Sequence, residues 1–154
     1  MNKNQKLQEL FDLAAKNAAR LFQESGEVLP MWHAVMGNDE HTLISTPWRD
    51  DTEKDIAMDM LRRFFREAKV KRYVFIVEAW IAHVQTQREV TEGPRPSEHP
   101  DRREVLMINA EDRSGESIIG QYFILRPEHG PPTLSPLKVQ PYEHTAGRMV
   151  GLLD

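Results

Sequence analysis

The chain has 154 residues, a formal net charge of −4, a hydrophobic share of 40% and no cysteine. This length and composition predict one folded domain with a sizeable core and exclude a disordered chain. The lack of cysteine excludes disulfides, thiol catalysis and thiolate metal sites, and the acidic balance argues against nucleic acid as the partner.

Two features bear on location. The N-terminal residues lead into an amphipathic segment and not into an uninterrupted apolar one, so we do not expect a secretory signal. No apolar run reaches the roughly 20 residues of a membrane-spanning helix. Together with the missing cysteines, these features predict a cytoplasmic protein that does not associate with a membrane.

Residues 4–24 carry apolar side chains at helical spacing with charged ones between them, which predicts an amphipathic helix that covers a sheet. Two β-rich runs follow at 28–36 and 41–47, around the turn sequence Gly37-Asn38-Asp39-Glu40. This pattern predicts a hairpin that brings His33 and His41 onto neighbouring strands.

A second amphipathic helix is predicted to begin at Asp51 or Thr52, either of which can cap it. Its last turn is basic and includes Arg62 and Arg66, which are candidate binding residues. We interpret these arginines as a solvated face that complements the helix C-terminus. The alternative is nucleic-acid or nucleotide binding through this basic end.

Residues 71–84 form the longest apolar run and are rich in β-branched and aromatic residues, which predicts the central strand. Alternation places Glu78 on one face of this strand, between Ile76 and Trp80. A carboxylate in an apolar layer is unfavourable. We therefore expect Glu78 to have a cation or backbone donors beside it, to have a raised pKa, or to lie on the floor of a cleft.

A long polar connection spans 85–101, and two antiparallel strands follow at 103–112 and 116–126. The prediction is therefore an α+β fold: a mostly antiparallel sheet of about five strands covered by two amphipathic helices. Residues 1–126 form the domain, and 127–154 form a proline-rich C-terminal tail.

If the connection folds back over the central strand, Arg102 or Arg103 can pair with Glu78, and Trp80 forms an apolar wall beside the pair. In one interpretation Glu78 and His99 are catalytic, because a buried carboxylate beside an aromatic residue and a histidine suits general acid–base catalysis. In the other, the pair holds the connection against the sheet. The sequence has no phosphate-binding glycine loop, zinc-protease motif or nucleophile elbow. We predict no metal site and no cofactor.

Four segments of the chain together resemble a known set of sequences. They are Gly26–Pro30, Thr46–Trp48, Glu78–Trp80 and Arg95–Glu104. In this order they resemble a family of bacterial and phage-associated hypothetical proteins, over roughly residues 26–125. The resemblance implies no activity and assigns no catalytic residue.

The sequence leaves open whether the protein is an enzyme. The first hypothesis is a small interaction or regulatory protein that binds a protein partner or self-associates as a homodimer, and that is linked to phage. The second is a hydrolase that uses Glu78 with His99 or His33. The third is nucleic-acid or nucleotide binding through the basic end of the second helix.

Overall fold

The computed structural model describes residues 3–82 and 87–140 and has an α+β fold. Its helices and strands are α1 (Lys3–Ser25), β1 (Met31–Val35), β2 (His41–Ser45), α2 (Asp51–Glu67), β3 (Arg72–Ile81), α3 (Gln87–Glu92), β4 (Arg103–Asp112), β5 (Ser117–Leu125), β6 (Thr133–Leu134) and β7 (Lys138–Gln140). The predicted fold class is confirmed, although the sheet has more than the five strands expected. Within the described ranges, no helix has both the length and the apolar character needed to cross a bilayer.

The sheet is antiparallel, and its strand order is β2-β1-β3-β4-β5-β6, with β7 also paired to β5. β3 lies between β1 and β4 and pairs with β4 over its full length, from Arg72 opposite Asp112 to Ile81 opposite Arg103. The predicted central position of this strand is confirmed for residues 72–81. His83, at its predicted end, lies outside the described residues.

One face of the sheet is covered by α1. The buried residues of this core include Leu7, Leu10, Phe11, Ala14, Ala18 and Phe22 of the helix and Val74, Ile76, Leu106 and Ile108 of the strands. The helix comes so close to β5 that a Cβ atom on Gly120 would stand 2.7 Å from Cζ of Phe11. Glycine therefore fits at this point of β5, where any larger residue has to displace the ring.

The opposite face, across β1 and β3, is covered by α2. Trp32 is at the centre of this second core: its ring stacks on Phe75 with centroids 4.0 Å apart, and Phe65 of α2 meets it edge-on at 6.2 Å. The Trp32 Nε1–H donates to Thr46 Oγ1 at 2.8 Å, so the one polar atom of the ring is satisfied. The two helices thus lie on opposite faces, as the alternation along β3 requires.

The start of α2 differs slightly from the prediction. Asp50 is the N-cap, in place of Asp51 or Thr52, because its backbone is extended and its Oδ1 accepts a hydrogen bond from Glu53 N at 2.8 Å. The helix ends before Lys69, whose φ of 53° is left-handed. The chain then turns directly into β3.

The first part of the predicted C-terminal tail belongs to the sheet. β6 pairs with Ile124 and Leu125, and β7 pairs with residues 119–121. Between them, Ser135 N donates to Phe123 O at 2.9 Å, and Ser135 Oγ accepts from Phe123 N at 2.8 Å. The sheet therefore continues past the boundary predicted at residue 126, and the tail after β7 lies outside the described residues.

Candidate anion-binding cleft

A cleft of about 590 Å³ lies at one end of the sheet. Because neighbouring strands are antiparallel, the last residues of β3 and β5 and the first residues of β4 meet at this end. The cleft is lined by Trp80, Arg102, Arg103, Glu104, Ile124, Leu125, Arg126, Pro127 and Thr133. Sequence reasoning had selected Trp80, Arg102 and Arg103 as binding residues, and the structure places all of them here.

Arg102 is held over the indole ring of Trp80. Its Cζ lies 5.0 Å from the ring centroid, and its Nη1 donates to His99 O at 3.3 Å. Trp80 is 39% exposed, so one part of its ring is open to a ligand. The ring and the carbonyl restrain the guanidinium group and leave its remaining N–H groups available to a ligand.

Arg103 has a similar arrangement on the other side of the sheet. It lies opposite Ile81, and its Cζ is 3.9 Å from the ring centroid of Phe123. Lys138 of β7 approaches the same ring, with Nζ 5.7 Å from the centroid. Among the described residues, the structure records no carboxylate partner for Arg102 or Arg103.

Arg126 differs from these two arginines because it has a carboxylate partner. Its Nε and Nη2 donate to the two oxygens of Glu104 at 2.6 and 2.9 Å. The hydrogen bond from Arg126 lowers the pKa of Glu104, and the bond to Glu104 raises the pKa of Arg126. Glu104 therefore neutralises one cation of the cleft, and the charges of Arg102 and Arg103 remain in excess.

Glu78 lies on the same face of β3 as Ile76, as predicted, and is half-buried. This is the face that α1 covers. Its Oε2 accepts a hydrogen bond from Val28 N at 2.6 Å, so the expected partner is a backbone donor. The expected pairing with Arg102 or Arg103 is not seen among the described residues. Arg102 lies against Trp80 and His99 O, and Arg103 lies opposite Ile81, on the other face of the sheet. The charge of Glu78 does reach Arg126, whose pKa it helps to raise.

His99 lies in the turn before β4. Its Nδ1 accepts a hydrogen bond from Asp101 N at 3.0 Å, and its carbonyl oxygen accepts from Arg102. Within residues 3–82 and 87–140, the structure records no hydrogen bond between His99 and Glu78. The catalytic roles of these two residues stay a prediction, and the observed contacts of His99 position Arg102.

His33 and His41 lie together, as the predicted hairpin requires. His33 Nε2 and His41 Nδ1 are 2.7 Å apart, and His33 is only 6% exposed. Burial, together with the charge of His41, lowers the pKa of His33 from 6.5 to about 4. Over the described ranges, no group of three or more potential metal-ligating side chains includes this pair.

The other candidate residues, Arg62 and Arg66, do not line the cleft. They lie on α2, which packs over β1 and β3, and Arg66 is exposed in its last turn. Arg62 is half-buried and has interactions of its own. The structure therefore separates the two groups of basic residues that the sequence offered.

Sequence reasoning did not select Glu104, Phe123 or Arg126. The register of the β4–β5 hairpin places Leu106 opposite Tyr122. Extending this register by four residues brings residue 126 opposite residue 102 and beside Glu104. The position of Arg126 beside Glu104 therefore follows from the short turn between the two predicted strands, but only when the exact register of the hairpin is known.

No protein-family model matches this chain, and neither a curated protein nor a solved structure shows detectable similarity to it. The interpretation of the cleft therefore depends on its own residues.

Proposed function

We propose that this protein is a small interaction protein whose cleft binds an acidic segment of a partner protein. The observation that carries the proposal is the pair Arg102 and Arg103, each held over an aromatic ring and neither neutralised by a carboxylate of the described residues. An excess of fixed guanidinium groups favours an anionic ligand.

The geometry of the cleft favours a carboxylate group that has an apolar neighbour. A guanidinium group held over a ring keeps its N–H edge free for two parallel hydrogen bonds to a carboxylate or phosphate. The apolar side chains of Ile124, Leu125 and Pro127 line the same cleft and suit an aliphatic side chain. Because the whole chain has a net charge of −4, a long phosphate polymer is disfavoured relative to a short acidic peptide.

The open end of the sheet is also suited to an extended peptide. Trp80 and Leu125 both lie at strand ends and are substantially exposed, so a ligand can reach them without any rearrangement. Tryptophan and arginine are the residues that most often dominate binding energy at protein interfaces. Their combination here supports protein binding over small-molecule catalysis.

The other functional hypotheses receive less support. Glu78 Oε2 accepts from Val28 N, and His99 Nδ1 accepts from Asp101 N. Among the described residues no hydrogen bond joins Glu78 to His99 or to His33, so the arrangement of an acid–base pair is not supported. No geometric observation favours nucleic acid at Arg62 and Arg66. The link to phage and the cytoplasmic location stay predictions.

The proposal can be tested by fluorescence polarisation with a fluorescein-labelled peptide of alternating leucine and glutamate. We expect binding that weakens about tenfold or more in Arg102→Ala and in Arg103→Ala, because each loses a charge-assisted hydrogen bond. Arg20→Ala is the matched control: Arg20 is an exposed arginine of α1 outside the cleft, and its loss should leave binding unchanged.

A second peptide, with glutamine in place of glutamate, separates charge from apolar contact and should bind much more weakly. Equal binding of the two peptides would contradict the proposal. So would tighter binding of an oligothymidine of the same net charge, since this would identify the cleft as a nucleic-acid site.

A further inference from the structure

β2 is an edge strand of the sheet. It pairs with β1 from His41 opposite Val35 to Ser45 opposite Met31, and no other strand of the described residues lies beside it. An edge strand presents unpaired N–H and C=O groups that can pair with another chain.

The hydrogen bonds at both ends of β2 determine which of its backbone groups face outward. Thr46 N donates to Pro30 O at 2.9 Å, and Glu40 O accepts from Met36 N at 2.8 Å, so residues 40 and 46 face β1. Because backbone direction alternates along a strand, the N–H and C=O groups of residues 41, 43 and 45 point away from the sheet. Leu43 is the middle one of these three.

The edge also lacks the features that usually prevent pairing. From His41 to Ser45 the sequence is His-Thr-Leu-Ile-Ser, with no lysine, arginine, aspartate, glutamate or proline. Natural edge strands are commonly protected by such residues or by bulges. Instead, Leu43 is 56% exposed at the centre of the strand.

We propose that β2 pairs with β2 of a second copy of this chain, antiparallel and with Leu43 opposite Leu43 on a two-fold axis. In this register the outward groups of His41 meet those of Ser45 of the second copy, and the reverse pair follows by symmetry. Every outward N–H and C=O from residue 41 to residue 45 then has a partner. The sheet continues from one subunit into the other.

Side chains support the same pairing. Residues directly opposite in an antiparallel pair share a face, so the two Leu43 side chains meet on the side of the sheet that α1 covers. Leu13 of α1 is also half exposed and lines a small cavity of about 180 Å³ together with His41 of β2. The leucines of both copies therefore add apolar contact to the backbone pairing.

The second copy suits this edge because β2 carries no lysine, arginine, aspartate or glutamate, so two copies of the strand meet without repulsion between like charges of these residues. The spacing of the outward groups at 41, 43 and 45 is symmetric about Leu43, so one strand satisfies the other without any further segment. A contact between two five-residue strands buries less surface than a standard interface, which buries about 1,200–2,000 Å² in total. We therefore expect a reversible dimer whose fraction increases with protein concentration.

The experiment uses the absence of cysteine from the chain. In the proposed register two Cα atoms at position 43 are about 5.5 Å apart, which suits a disulfide. Under mild oxidation of the full chain, Leu43→Cys should form a covalent dimer roughly tenfold faster than Leu29→Cys, because pairing raises the effective concentration of the two thiols. Leu29 is the matched control, since it is 53% exposed and lies outside the strands.

Sedimentation of the unmodified chain over a range of concentrations provides the second measurement. We expect a monomer–dimer equilibrium that shifts to monomer in Leu43→Lys and stays unchanged in Leu29→Lys, with circular dichroism showing that both variants fold. Equal oxidation rates for the two cysteine variants would overturn the proposal. A chain that sediments as a monomer at every concentration would also overturn it.

Discussion

The cleft and the His33–His41 pair are two polar regions of one sheet, and they differ in the burial and the partners of their polar side chains. His33 is buried, and its Nε2 lies 2.7 Å from His41 Nδ1, whereas its own Nδ1 has no hydrogen-bond partner among the described residues. In the cleft, Arg102 and Arg103 are exposed and are held over aromatic rings without a carboxylate partner among the described residues. The buried histidine therefore affects the stability of the fold, whereas fixed charges in excess are available to a ligand.

This difference predicts that substitutions in the closed regions reduce stability, whereas substitutions in the cleft reduce affinity. The two cores and the buried side chain of His33 are the closed regions. The cleft and the β2 edge are the open ones.

The two tryptophans give the largest contrast. Trp32→Ala should lower the free energy of unfolding by about 3–5 kcal/mol, because the residue is fully buried and stacks on Phe75. Trp80→Ala should cost less than about 1 kcal/mol, because the ring is partly exposed at the strand end. Urea denaturation of both variants measures this, and similar losses would show that the cleft is part of the core.

The stability of the protein should decrease in acid because of His33. Its pKa is about 4 in the folded chain and 6.5 in the unfolded chain, so the unfolded state takes up the proton first as the pH falls. The contribution of His33 to the free energy of unfolding is fully present above pH 6.5 and is lost as the pH falls from 6.5 to 4. This loss is at most about 3 kcal/mol.

Urea midpoints over this pH range, for the unmodified chain and for His33→Gln, check the prediction. The variant should show a flatter pH dependence, because residue 33 no longer titrates. An unchanged slope in the variant would assign the acid sensitivity to other groups.

Gly120→Ala should destabilise the contact between α1 and β5 by about 1–3 kcal/mol, because the new methyl group meets the ring of Phe11. Phe11→Leu removes the tip of that ring. In the Phe11→Leu background the Gly120→Ala substitution should therefore cost much less, as a double-mutant cycle measures. An equal cost in both backgrounds would show that the contact with Phe11 is not the reason.

Glu104→Gln should give the smallest change in stability, below about 1 kcal/mol, because its ion pair with Arg126 lies at the surface. The substitution releases Arg126 and makes the cleft more positive, so the labelled acidic peptide should bind more tightly. Denaturation and fluorescence polarisation measure the two effects on the same variant. Weaker peptide binding would mean that Glu104 positions Arg126 for the ligand and does not compete with it.

The fold was largely predictable because its main elements have strong periodic patterns. The helical stripe from Leu7 to Phe22 and the apolar run of β3 determined the elements and the two faces. The cap at Asp50 and the strands β6 and β7 were not predicted. They depend on single hydrogen bonds and on tertiary pairing to β5, which leave little trace in local sequence.

The candidate site was predictable in part. Trp80, Arg102 and Arg103 were selected because they adjoin the one carboxylate of the central strand, and they do line the cleft. Their partners were not predicted, because the faces of Arg103 and Glu78 depend on the β3–β4 register. Pairing over ten residues determines that register, and no short motif encodes it.

The most direct test of the account is an NMR titration of the arginine side chains in the full chain. The Nε–Hε signals of Arg102 and Arg103 should shift when the acidic leucine–glutamate peptide is added, and the signal of Arg20 should not shift. The glutamine peptide should leave all three unchanged. Shifts at Arg20 equal to those at Arg102 and Arg103, or no shift at any arginine, would contradict the assignment of the cleft as the binding site.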